Sequence, residues 1–188
     1  MSVTHEYKGG VVTVFRDGKS VITYEKGKIV VYPHHGAAKI VDIKKHLHRG
    51  ENVLSLKLFV EQGNLEIWVP VNNSIDTQDG VSIRDVIQPK GVRKVESILK
   101  EEFIEEPTNW SRRFKANQEK LASGDVYKVA EIVRDLWRRE QDRGLSAGEK
   151  RMKTKAMQIL CSELKLALKL DDAGVEAHVL KVLAKGAK

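Results

Sequence analysis

Trp110, with Arg112, Arg113 and Lys115 directly behind it, is the group in this chain whose residue types and spacing point most clearly to a ligand. Tryptophan carries the largest flat apolar surface of any side chain, and Arg and Lys are the cations that neutralise phosphates. The preceding Glu106-Pro107-Thr108-Asn109 reads as a helix start, with Thr108 or Asn109 as the cap, and a helix start aims free backbone N–H groups at anions. This combination predicts a surface that grips a nucleic-acid backbone and presses a flat ring against a base or base step. Spacing alone leaves a second reading open. Trp110, Phe114 and Leu121 share one helix face, and an aromatic stripe at that spacing usually belongs to a core.

The other candidate groups are weaker. In Leu65-Glu66-Ile67-Trp68-Val69, alternation sets Glu66 and Trp68 on the face opposite Leu65, Ile67 and Val69. Trp68 is then either an exposed interface anchor or a lid over the end of a small barrel or over the N-terminal extension. Trp137 lies in the middle of an apolar stripe and is expected in a core. His34, His35, His46 and His48 lack a Cys pair or acidic partner at zinc spacing, so no metal is expected. Cys161 reads as a small packing residue on a buried helix. No Ser/His/Asp set, glycine-rich phosphate loop or paired-carboxylate motif is visible. The expectation is a binding protein, without a cofactor, rather than an enzyme.

Charge distribution supports this. The 188-residue chain has a net charge of +7, and residues 107–169 hold 15 Lys and Arg against 8 Asp and Glu, an excess of 7 on that segment alone. Residues 96–106 carry five Glu and one Lys. A concentrated basic excess suits a nucleic-acid surface better than a diffuse bias does. No apolar run approaches the ~20 residues that span a bilayer, and Met1–Gly10 does not read as a signal peptide. A single cysteine fits a reduced, cytoplasmic setting.

The elements that must position these residues change character near residue 90. Before it, short β-branched runs alternate with glycine. Val11–Phe15 and Val21–Tyr24 flank Arg16-Asp17-Gly18-Lys19, a hairpin signal. Ile29–Tyr32, Ala37–Ile43, Val53–Phe59 and Leu65–Val69 follow, and this spacing predicts a small closed antiparallel barrel. After Pro89-Lys90-Gly91 the period becomes helical. Val92, Val95, Ile98 and Leu99 form one stripe; Val126, Val129, Ala130, Val133, Leu136 and Trp137 form another behind an Asp125 cap. Ser146-Ala147-Gly148-Glu149 matches a capping box ahead of a long helix to about Leu170, and Asp171-Asp172 starts a last short one. The fold class expected is α+β. Residues 1–23 form an extension, either a β-hairpin or loose; 24–88 the barrel; and 89–188 a compact helical bundle.

Two stretches resemble the CarD/CdnL family of bacterial transcription regulators. Val30-Val31-Tyr32-Pro33-His34-His35-Gly36-Ala37-Ala38 and Trp68-Val69-Pro70-Val71-Asn72-Asn73 are similar to its N-terminal module. Pro107–Asn117, Ala130–Arg139 and Arg143–Met152 are similar to its C-terminal module. The resemblance implies a Tudor-like barrel that binds the β subunit of RNA polymerase. It also implies a helical domain that touches promoter DNA at the upstream edge of the melted bubble. It assigns the wedge in the minor groove to Trp110 and backbone contacts to Arg112, Lys115 and Lys150, with Arg113 in the same basic cluster. For the polymerase contact the candidates are Lys45, His46, Glu66 and Trp68. His46 and Trp68 stand where the family often has Arg, and residues 1–23 are an addition to it. The function expected is stabilisation of the open promoter complex by a monomeric, cytoplasmic protein; the alternative is a nonspecific architectural DNA-binding protein.

Overall fold

The computed structural model describes residues 3–71, 83–102 and 109–186. The chain divides into two compact units, Met1–Val86 and Ile87–Lys188.

The first unit holds two antiparallel sheets. One is a meander of β1 (Val3–Lys8), β2 (Val11–Arg16) and β3 (Lys19–Glu25). The Asp17-Gly18 hairpin is present, and a further strand, β1, pairs on its outer side from Val3↔Arg16 to Lys8↔Val11. An expected boundary after residue 23 thus falls inside β3. Ile22 and Tyr24 of β3, with Val12 and Val14 of β2, join the same core as the remaining strands, so these residues are neither loose nor separate. Two-residue turns close both hairpins of this meander and the one at Arg49-Gly50. Gly9-Gly10 (φ 59 and 84), Asp17-Gly18 (50 and 76) and Arg49-Gly50 (49 and 89) each place both residues at positive φ, the twist-matched geometry of a two-residue hairpin turn.

The second sheet comprises β4 (Ile29–Tyr32), β5 (Gly36–His48), β6 (Glu51–Val60), β7 (Leu65–Pro70) and β8 (Arg84–Asp85), in the order β7-β6-β5-β4-β8. Among the described residues its two edge strands are not paired with each other, and the ladders define a mixed α+β chain with antiparallel sheets. The long strand β5 carries a bulge. Its register against β6 shifts between Ile40 and Asp42. Ala38 and Ile40 face the core, and regular alternation would send Asp42 after them. The extra residue instead delivers Ile43 to the core and turns Asp42, Lys44 and His46 outward. Ile43, Leu56 and Val69 line up across three strands inside, and Asp42, Lys57 and Trp68 line up outside.

The second unit is a bundle of five helices: α1 (Pro89–Lys100), α2 (Trp110–Ala122), α3 (Val126–Asp142), α4 (Ala147–Leu168) and α5 (Asp172–Lys185). Four starts are capped as their sequences require. Asn109 accepts from the Arg112 amide, Asp125 from Tyr127, Ser146 from Glu149 and Asp171 from Gly174. Thr108 lies outside the described residues. The stripes read from α1, α3 and α4 meet in one core, with Val175, Val179, Val182 and Leu183 from α5; Trp137 packs half-buried against it.

One ion cluster crosses this core. Arg134, 2% exposed, donates from Nε to Asp135 Oδ1 at 2.7 Å, and from Nη1 to Glu101 Oε2 at 2.9 Å and the Ile98 carbonyl at 3.3 Å. It ties the end of α1 to the middle of α3. Removing the cation strands the buried Asp135 carboxylate, a loss of about 3–5 kcal/mol. Arg134→Ala should therefore show a urea midpoint far below that of the parent protein; an unchanged midpoint would contradict the role given to this cluster.

Candidate nucleic-acid interface

Because Asn109 caps α2, Trp110 is the first residue of the helix. The ring is 46% exposed. It stacks on Phe114, one turn along, with centroids 5.2 Å apart and planes 22° from parallel. Its indole Nε1–H donates to Ser146 Oγ, the cap of α4, at 3.3 Å. The ring is thus propped against the starts of two helices, with much of its surface left to solvent. It is not the buried end of a core stripe; Phe114 and Leu121 take that part.

The cations behind Trp110 separate into two kinds. Arg112, Lys115 and, on the first turn of α4, Lys150 are exposed and make no ion pair among the described residues. Other cations of the bundle are committed: Lys120 to Glu131, Arg134 to Asp135, Arg143 to Asp142, Lys153 to Glu140 and Lys165 to Asp172; Lys128, Arg151 and Lys155 are exposed like the first three. Arg113 does not reach the surface with its neighbours. It is only 6% exposed, and its Nη2 lies 3.6 Å from Glu149 Oε1. The 100° step per residue that exposes Arg112 turns Arg113 inward. Of the four cations expected at a phosphate surface, three are available and the fourth is structural.

Glu149, 5% exposed, is the partner that draws Arg113 in. Arg139 Nε approaches the same Oε1 at 3.4 Å. Oε2 accepts from the Ser146 amide at 3.0 Å and the Ser146 hydroxyl at 2.7 Å. Burial by itself would raise the Glu149 pKa. The Ser146 hydroxyl and amide and the charges of Arg139 and Arg113 outweigh it and hold the carboxyl below its ordinary range. The Ser146–Glu149 capping box was legible in the sequence. Its contacts with Trp110, Arg113 and Arg139 span separations that no local pattern encodes.

The first unit presents a second aromatic site. Trp68, on the outer face of β7, stacks on His46 of β5 with centroids 4.5 Å apart and planes 13° from parallel. Lys44 Nζ and Lys57 Nζ lie 5.2 and 5.8 Å from its ring, and Lys57 also pairs with Glu66 at 2.8 Å. His46, Glu66 and Trp68 are therefore one cluster. Lys45 is not in it; β-alternation sets its exposed side chain on the opposite face, and Lys44 and Lys57 supply the local charge. Lys57 was missed because cross-strand register decides which lysine meets the ring.

Among the described residues no group of three or more His, Cys, Asp or Glu could hold a metal, and no helix is long and apolar enough to cross a membrane. Burial first, then Glu176 and Asp172, pushes the Cys161 thiol up to about 11, so it is a poor nucleophile.

A depressed Glu149 pKa has a consequence for stability. The contribution is complete above the ordinary glutamate value of 4.5 and is lost as pH falls through the lower folded-state value. Urea midpoints should fall on acidification below that value. Glu149→Gln should cost about 1–3 kcal/mol at neutral pH and flatten the acid limb; equal pH profiles for the two proteins would refute the assignment.

Comparison with known proteins agrees with this division. Residues 24–84 match the family model described as the CarD-like/TRCF RID domain, and residues 94–180 match the CarD, C-terminal domain. The chain is 27% identical over 145 residues to the "Putative transcription factor YdeB" of Bacillus subtilis (strain 168), covering 76% of this chain and 91% of that protein. With both domains present in this order, the chain belongs to the CarD family of transcription regulators.

Proposed function

We infer that this regulator docks on the β subunit of RNA polymerase through the first unit and holds promoter DNA at the upstream edge of the melted bubble through the second. The observation that carries the reading is Trp110: a half-exposed ring at a helix start, flanked by the exposed cations Arg112, Lys115 and Lys150. In this reading the strands of the first unit close as a Tudor-like barrel, and Trp68, His46 and Glu66 lie on its polymerase-facing side. The protein acts as a cytoplasmic monomer without a cofactor, and it performs no chemistry on the DNA.

The mechanism is differential binding. A ligand stabilises only the state for which it has the greater affinity. A flat ring that fits an opened base step, and not closed duplex, favours the melted form. Docking on the polymerase makes the DNA contact effectively intramolecular, so weak intrinsic affinity suffices. Nonspecific architectural binding would account for the exposed cations but gives no role to the Trp68–His46 cluster.

Two experiments test this. Base–aromatic stacking contributes roughly 1–3 kcal/mol, so Trp110→Ala should shorten the lifetime of promoter complexes about five- to 150-fold. The same change should lower stability mainly by the lost Phe114 stack, about 0.5–1.5 kcal/mol, and leave β-subunit affinity intact. A cost of about 3–5 kcal/mol in the thermal melt would instead mark a core residue. Second, Arg112→Ala, Lys115→Ala and Lys150→Ala should each reduce the salt dependence of DNA binding by about one unit of slope. Arg113→Ala should act mainly on the melting temperature; equal effects of all four on DNA binding alone would contradict the sorting of these cations.

A further inference from the structure

The hydroxyl that caps α4 is also the acceptor of the Trp110 indole N–H. Ser146 Oγ receives Trp110 Nε1–H and the Glu149 amide, each at 3.3 Å, and donates its own proton to Glu149 Oε2 at 2.7 Å. A hydroxyl has one proton and two lone pairs, so these three bonds use all of its capacity. Their directions follow from the carboxylate: Glu149 is ionised and can only accept, so the hydroxyl proton must point to it. Both lone pairs are then left for the two N–H donors. Arg113 and Arg139 hold the other Glu149 oxygen, which fixes the carboxylate in turn.

The ring is also bounded sterically. A Cβ added at Gly148 would stand 3.4 Å from Phe114 Cε2 and 3.7 Å from Trp110 Cζ2. The Nε1–Cζ2 edge of the indole is therefore the edge turned toward α4, and one of its faces is taken by Phe114. An exposed aromatic with only a stacking partner retains freedom to swing about its side-chain torsions. A hydrogen bond at one edge removes that freedom.

We propose that Ser146 is a positioning residue for Trp110: backed by Glu149, it sets the orientation in which the ring meets DNA. This rests on the reading of Trp110 as the DNA-contacting ring. It adds that the ring is pre-oriented in the free protein and that the α4 cap, 36 positions away, determines how well the wedge works.

The test uses full-length 15N-labelled protein and the variants Ser146→Ala and Ser146→Thr, studied below their melting temperatures. The Trp110 indole resonance is identified by its loss in Trp110→Phe. In Ser146→Ala it should shift and exchange faster with solvent, and promoter-complex lifetime should shorten roughly two- to tenfold, the effect of one ordinary hydrogen bond. Ser146→Thr, which keeps the hydroxyl, should restore both. An indole resonance and exchange rate unchanged in folded Ser146→Ala would overturn the proposal. Should that variant fail to fold, the parent protein decides: indole N–H exchange as fast as in free tryptophan also overturns it. If the indole responds as expected while neither Ser146→Ala nor Trp110→Ala alters lifetime, the positioning stands and the DNA role of Trp110 falls.

Discussion

A carboxylate taken out of water must be compensated, and the surroundings of Glu149 follow from that requirement. Two arginines, one hydroxyl and one amide converge on it, from α2, α3 and the start of α4. Satisfying the charge therefore locks three helices together at one end of the bundle. The exposed features of that end are by-products of the lock. Once Arg113 is committed inward, helical geometry sends Arg112 outward. Once Ser146 serves the carboxylate, its remaining lone pair is presented to Trp110.

The two units handle a surface tryptophan in opposite ways. Trp68 is covered by its own side chains: His46 stacks on it, and Lys44 and Lys57 stand within cation–π distance. Such contacts are worth about 0.5–1 kcal/mol at exposed sites, and a partner that claims the ring must match or retain them. Trp110 has one stacked neighbour and one edge hydrogen bond, and the cations near it leave its outer surface open. The first arrangement suits a face recognised by its charge pattern as well as its shape. The second suits insertion.

Local chemistry was legible and non-local chemistry was not. The helix caps at Asn109, Asp125, Ser146 and Asp171, and the Asp17-Gly18 turn, depend on residues a few positions apart, so their signals survive in sequence. Strand β1 was invisible because Val3–Lys8 alternates weakly and lies on an outer edge, with little to bury. The stacking of His46 on Trp68 depends on the bulge in β5, since one extra residue decides which side chains of that strand face outward, and Lys57 meets the ring through the β6–β7 register. Arg113 was misplaced for a related reason: charge alone does not distinguish a cation in solvent from one facing a buried carboxylate. The family resemblance supplied roles for Trp110, Arg112, Lys115 and Lys150, but not the support beneath them.

The meander at the start of the chain has a kinetic consequence. Its strands are joined by two-residue turns, so every pairing in it links residues close in sequence. Closing such short loops costs little entropy, and hairpins of this kind form in about 1–10 μs. During synthesis residues emerge at about 5–20 per second, so these pairings can equilibrate between successive additions of amino acids. The later strands then meet a meander that already samples its paired form, and residues ahead of the matched segment 24–84 become an early template for the core they share.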